Sequence, residues 1–169
     1  MSDYYDPKNR RVCLSDSTYN STSVAALGIA AHECGHAIQH QQGYSILQFR
    51  NSMVPVVNFS SAICWPLIII GLIFTGKSSG TFLLAGVILF SVSVLFQLVT
   101  LPVEFNASSR ALRILGDSGM MAETELKGTK KVLQAAALTY VASCAAIILQ
   151  LIRLLLIIGV RGGGRSDRN

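Results

Sequence analysis

Three long runs with almost no charge constrain this chain more than anything else in it. Residues 54–74 contain no charged side chain and include Ile68-Ile69-Ile70. Residues 81–103 are again uncharged, and the main polar interruptions of residues 132–160 are Gln134, Gln150 and Arg153. As a helix, each run is long enough to cross roughly 30 Å of hydrocarbon. A buried helix of a water-soluble core could account for one such run but not for three. Composition agrees, because only 14% of the 169 residues are charged whereas soluble domains carry roughly a quarter. Hydrophobic residues make up 51%, and the mean hydropathy is +0.48. The expected fold is therefore an all-α integral membrane protein with three transmembrane helices.

The stretch Gly76-Lys77-Ser78-Ser79-Gly80 is short, so the first two runs should form a helical hairpin. A hairpin returns the chain to the side from which it left. Residues 1–53 and 104–131 then share one side, and the third run carries residues 161–169 across as a disordered glycine-rich tail. The first side holds nine basic residues: Lys8, Arg10, Arg11, Arg50, Arg110, Arg113, Lys127, Lys130 and Lys131. The other holds four, Lys77, Arg161, Arg165 and Arg168, with Arg153 snorkelling toward it. The excess places the first side in the cytoplasm and the protein in the cell membrane. A net charge of +5 does not indicate nucleic acid here. The positive residues flank the membrane runs without interleaved aromatics, which suits anionic lipid headgroups. The polar segment 1–11 does not read as a signal peptide.

The chemistry-bearing feature is His32-Glu33-Cys34-Gly35-His36, which follows the small apolar run from Ala25 to Ala31. On a helix, residues four apart lie one above the other, so His32 and His36 can present imidazole nitrogens to a single ion. Glu33 is one position on, within reach of a water held by that ion. Two imidazoles and a third protein ligand make an open zinc site, at which water ionises near neutral pH and a glutamate takes its proton. Left unpaired on a half-buried face, these polar groups would cost a few kcal/mol, which a metal would remove. Thr22 or Ser23 could cap the helix start, and Gly43 could end it. His40 continues the spacing but lies roughly 12 Å along the axis from His32, too far to share a tetrahedral ion with it.

Among acidic residues on the same side, Glu104 stands out where the second run ends, beside Pro102, which can redirect a helix. That position equally suits an interfacial glutamate marking the membrane boundary. Asp117, Glu123 and Glu125 stand among Gly, Ser and Lys and read as solvated loop charges. Cys13, Cys34, Cys64 and Cys144 form no metal-like C-x-x-C pair and read as small buried residues without disulfides. Arg11 to Ser15 alternates as a short strand after the turn signal Asp6-Pro7-Lys8-Asn9. Such a strand near a metal can pair with a substrate backbone or merely pack on the helix.

Several stretches together carry a family resemblance: Ser2-Asp3-Tyr4-Tyr5-Asp6-Pro7, Val12-Cys13-Leu14-Ser15, and Ala31-His32-Glu33-Cys34-Gly35-His36-Ala37-Ile38-Gln39-His40. Pro55-Val56-Val57-Asn58-Phe59 and Leu101-Pro102-Val103-Glu104-Phe105-Asn106-Ala107-Ser108 complete the set. Over nearly its whole length the chain resembles the YugP-type zinc-dependent membrane proteases. The resemblance implies zinc ligands at His32 and His36, a catalytic Glu33, and peptide-bond hydrolysis. More distantly, Glu104-Phe105-Asn106-Ala107-Ser108 is similar to the E-F-x-A-D segment of HtpX-type membrane proteases. That likeness implies Glu104 as third zinc ligand, and Ser108 stands where those enzymes have an aspartate. Members of the YugP-type family usually begin with a further span and a polar segment, which this sequence lacks ahead of Met1.

The expectation is a membrane-embedded zinc endopeptidase. Residues 1–53 form its zincin-like segment, 54–103 a transmembrane hairpin, 104–131 a cytoplasmic segment with the third ligand, and 132–160 a third span. His32, His36 and Glu104 hold Zn2+ while Glu33 acts as general base on a peptide or membrane-protein substrate. His40, Arg110 and Tyr19 are candidates for stabilising an oxyanion. The alternative is a non-catalytic membrane protein that binds metal structurally or as a sensor, but such a site has no use for the base at Glu33.

Overall fold

The computed structural model describes residues 3–74 and 77–163. Strands β1 (Tyr4–Asp6) and β2 (Arg11–Cys13) lead into a one-turn helix α1 (Asp16–Tyr19) and the motif helix α2 (Val24–Gln41). Three long helices follow, α3 (Ser45–Ile73), α4 (Lys77–Asp117) and α5 (Glu123–Gly163). Contacts divide the chain into two units, Met1–Phe49 with Thr100–Val141 and Arg50–Val99 with Ala142–Asn169.

In the first unit, the two strands pair antiparallel with Tyr5 opposite Val12. Asp6 closes the connection by accepting from the backbone N–H groups of Lys8 and Asn9 at 3.0 and 3.1 Å. The Asp3 carboxylate ties the hairpin to α1, accepting from Ser15 N–H at 2.7 Å and the Thr18 hydroxyl at 2.9 Å. Of the two residues expected to cap α2, Ser23 does so, its Oγ accepting from Ala26 N–H at 3.1 Å. Gly43 follows the last turn at φ +64°, a conformation that glycine adopts without strain.

Small residues decide how closely these helices approach. A β-carbon on Gly35 of α2 would lie 2.5 Å from the backbone oxygen of Ala107, so α2 and α4 touch backbone to backbone there. The facing stripe of α4 runs Val103, Ala107, Ala111 and Leu115 at four-residue spacing, each 2% exposed or less. Ala31, Ala111, Leu115 and Leu133 form the buried apolar cluster, joined by Leu112, Met121 and Leu126.

The second unit is packed around Cys64, Ile68, Leu83, Val87, Phe90, Val94 and Leu154. Here α3 and α4 run antiparallel, with Gly71 against Leu83, Gly86 against Ile68, and Ser61 3.3 Å from Ser93. This is the hairpin expected from the short link, of which Gly76 itself lies outside the described residues. Among the described residues, three helices are long and apolar enough to cross a membrane, and only 11–28% of their most apolar windows is buried within the protein. Large outward side chains such as Ile73, Leu84, Ile88, Leu149 and Leu156 would be untenable in water and suit lipid.

The helices run on past the ends of the apolar runs. Pro102 does not end the helix, and α4 continues through it to Asp117. A proline removes one N–H donor, a loss that membrane helices accommodate. Glu123 and Glu125, read above as loop charges, open α5. The Glu125 carboxylate accepts from Ala122 N–H at 2.8 Å, and Glu123 pairs with Lys127 at 2.8 Å one turn on. At the other end, α5 extends to Gly163, three residues into the stretch expected as a disordered tail. Residues 164–169 of that tail, like Ser2 of the first matching stretch, lie outside the described residues.

Candidate metal centre

The α2–α4 approach sets the site. His32 and His36 stand one turn apart on α2, their rings 4.8 Å apart and nearly perpendicular. From α4, which Gly35 admits at backbone distance, Glu104 reaches between them. Its Oε2 lies 3.3 Å from His32 Nε2 and 3.6 Å from His36 Nε2. One donor atom from each of the three residues lies within 4.8 Å of the other two. Ligand atoms held about 2.0–2.1 Å from one ion at tetrahedral angles are about 3.3–3.4 Å apart. The spacing and the N, N, O chemistry therefore fit a zinc-sized cation with three protein ligands. Glu104 is only 4% exposed, so its negative charge is set into the protein where a cation would offset it.

Each imidazole is also held through its other nitrogen. His32 Nδ1 is 3.1 Å from Ser108 Oγ. His36 Nδ1 is 2.9 Å from Gln39 Oε1, and Gln39, fully buried, donates from Nε2 to the Val103 carbonyl at 2.8 Å. Serine thus occupies, on His32, the place where a carboxylate partner is common in metal sites.

Glu33 is 9% exposed and lines the same cleft without belonging to the three-residue donor group. Burial pushes its carboxyl above the ordinary glutamate value, against the opposing pull of His36, His32 and the Tyr5 backbone N–H. Burial works against the charged form of His36, but the hydrogen bond and charge of Glu104 prevail and hold its pKa above the usual value.

The cleft has a volume of about 280 Å³. Asp3, Ile29, Ser108, Leu133, Ala136, Ala137 and Tyr140 line it with the four motif and ligand residues. An apolar groove shares Ser108, Leu133 and Ala137 with it and continues past Phe105, Leu112 and Leu138. The three candidates for an oxyanion donor are not among the lining residues. His40 Nδ1 is 2.8 Å from the Tyr5 hydroxyl, Tyr19 is 76% exposed, and Arg110 donates to Asn106 and Gln42. The Tyr5 backbone N–H of β1 reaches Glu33, and Asp3, just ahead of that strand, lines the cleft. Tyr140 escaped the sequence reading because it sits in an otherwise apolar run. Its lone phenol there was the available signal, as was a buried-phase glutamine three residues after His36.

The family described as "Putative neutral zinc metallopeptidase" matches residues 1–159. The chain belongs to this family. It is also 46% identical over 157 residues to "Putative membrane protease YugP" of Bacillus subtilis (strain 168), covering 93% of this chain and 68% of that protein. No solved structure matches it. A membrane protein of a zinc metallopeptidase family thus carries a three-residue donor group whose spacing fits zinc.

Proposed function

We propose that the protein is a membrane-embedded zinc endopeptidase in which His32, His36 and Glu104 would hold the metal. The observation that carries this reading is the meeting of two imidazole nitrogens and one carboxylate oxygen at ligand spacing beside a buried fourth residue, Glu33. Bound zinc supplies a Lewis acid that polarises a carbonyl and makes water acidic near neutral pH. Glu33, raised above the ordinary carboxylate range by burial, is the base that accepts the proton of the attacking water. The same carboxyl then holds that proton for the leaving amine nitrogen as the peptide C–N bond breaks. Leu133, Ala136 and Ala137 give the cleft an apolar wall that limits competing water. The substrate is a peptide or a membrane protein, reached from the cytoplasmic face of the cell membrane, as the nine-to-four bias of basic residues supports.

The test separates base from ligand. Purified protein should contain one zinc per chain and hydrolyse peptides. Glu33→Gln should keep the zinc and lose about a hundredfold to ten-thousandfold of the rate, the usual contribution of general-base catalysis. Glu104→Gln should lose zinc itself, a neutral amide being the poorer ligand. Unchanged hydrolysis by the Glu33→Gln protein would sink the mechanism and favour the non-catalytic metal-binding alternative.

A further inference from the structure

The hydrogen bonds behind His36 form a chain with only one consistent direction. At its far end is Arg110, half-buried on α4, whose Nε lies 2.7 Å from Asn106 Oδ1 and whose Nη1 lies 2.6 Å from Gln42 Oε1. A guanidinium only donates, so the Asn106 atom facing it must be the oxygen. That oxygen is also 2.9 Å from the Gln39 amide, and the Val103 carbonyl, which only accepts, is 2.8 Å from the same amide atom. Gln39 must therefore turn its NH2 group toward both, leaving its oxygen toward His36 Nδ1 at 2.9 Å. An oxygen there requires a proton on Nδ1. In the neutral ring the lone pair of His36 is then on Nε2, the nitrogen facing Glu104.

We propose that Gln39 is a positioning residue, and that Arg110 and the Val103 carbonyl, acting through Asn106 and Gln39, lock His36 in the Nδ1–H form whose Nε2 lone pair faces the metal position. The inference rests on the proposed metal role of His36. Gln39 is buried completely, so a misdirected amide would leave polar groups unpaired where no water reaches them. The tautomer is consequently decided by groups on α4 rather than by α2 alone. The relay spans 64 to 67 residues of sequence in its two central bonds. Neutral amides, not a carboxylate, stand behind this imidazole, so it is oriented without the added basicity that a carboxylate partner confers.

Two measurements test the relay. In full-length metal-free protein, at a pH where the imidazole is neutral, nitrogen-15 resonances of His36 should report the Nδ1–H form. In Gln39→Leu they should move toward the Nε2–H form, the proton then being shared with Glu104. Zinc titration should show a roughly tenfold to hundredfold loss for Gln39→Leu, as for other partners of metal-bound histidines. Asn106→Leu should weaken zinc in the same sense. Asn106→Asp keeps the shape and accepts from both Gln39 and Arg110, so it should restore zinc binding close to that of the unmodified protein. An Nε2–H tautomer in the unmodified protein would overturn the relay, as would unchanged zinc affinity in Gln39→Leu. Loss of zinc by Asn106→Asp as severe as by Asn106→Leu would equally overturn it. Absence of zinc from the unmodified protein would instead defeat the metal reading, and the nitrogen-15 measurement on metal-free protein would still decide the relay.

Discussion

At the scale of single residues, the three histidines of the motif helix have three different environments. His32 and His36 face Glu104, while His40 turns to the Tyr5 hydroxyl at 2.8 Å. Replacing His32 or His36 by alanine should abolish stoichiometric zinc binding. His40→Ala should leave it near normal and cost only about 0.5–1.5 kcal/mol of stability for one lost hydrogen bond. Metal analysis of the purified variants checks this, and equal zinc loss from His40→Ala and His36→Ala would refute the ligand assignment. Asp3 makes a second residue-scale prediction. Burial acts to raise its carboxyl pKa, but hydrogen bonds from Ser15 and Thr18 outweigh it and the net shift is downward. A depressed carboxylate contributes stability that is fully present above its unfolded value, about 3.9, and is lost as pH falls through the lower folded value. Protection of the Ser15 amide against hydrogen exchange should therefore decline below about pH 4. In Asp3→Asn that acid dependence should disappear. The donor spacing of His32 and His36 was legible in sequence because it is set by one helical turn. The partners Ser108 and Gln39 were not, since nothing local says which nitrogen of an imidazole a distant side chain will meet.

At the scale of elements, the decisive contact is α2 against α4. Two ligands come from the first helix and one from the second, so the distance between these helices is the distance across the site. Gly35→Ala would put a β-carbon 2.5 Å from the Ala107 oxygen, and backbone cannot rotate away as a side chain can. The helices must separate, at about 1–3 kcal/mol, and Glu104 must move off the two imidazoles. Zinc affinity should fall by roughly tenfold or more, which corresponds to 1.4 kcal/mol or above. Gly116→Ala is the control, because its β-carbon would meet only the Leu126 Cδ2 at 3.4 Å. There the zinc affinity should hold, and the helix should gain up to about 1 kcal/mol from the better helix former. If Gly35→Ala bound zinc as tightly as Gly116→Ala, the close approach would not be what builds the site. Element boundaries were the less readable part of the fold. Hydropathy marks where a helix can stay in lipid, whereas α4 ends at Asp117 and α5 starts at Glu123 because of caps and packing beyond the apolar runs.

At the scale of the whole molecule, orientation in the membrane remains a matter of charge. The nine-to-four distribution of basic residues predicts that the connection between α4 and α5 faces the cytoplasm. In a variant with the four native cysteines replaced, a cysteine at Gly119 should resist an impermeant thiol reagent added to intact cells, and one at Ser166 should react. The opposite labelling pattern would reverse the orientation while leaving the site chemistry as proposed. The sequence by itself determined the membrane class, the antiparallel hairpin and the paired histidines, because hydropathy over a span and the pitch of a helix are local properties. Only the tertiary structure decided that Glu104 meets both histidines, that Ser108 and Gln39 stand behind them, and that Tyr140 and Asp3 line the cleft. His32 and Glu104 are 72 residues apart and His32 and Ser108 are 76 apart. Such pairs meet only where Gly35 lets two helices touch, and no local pattern encodes that approach.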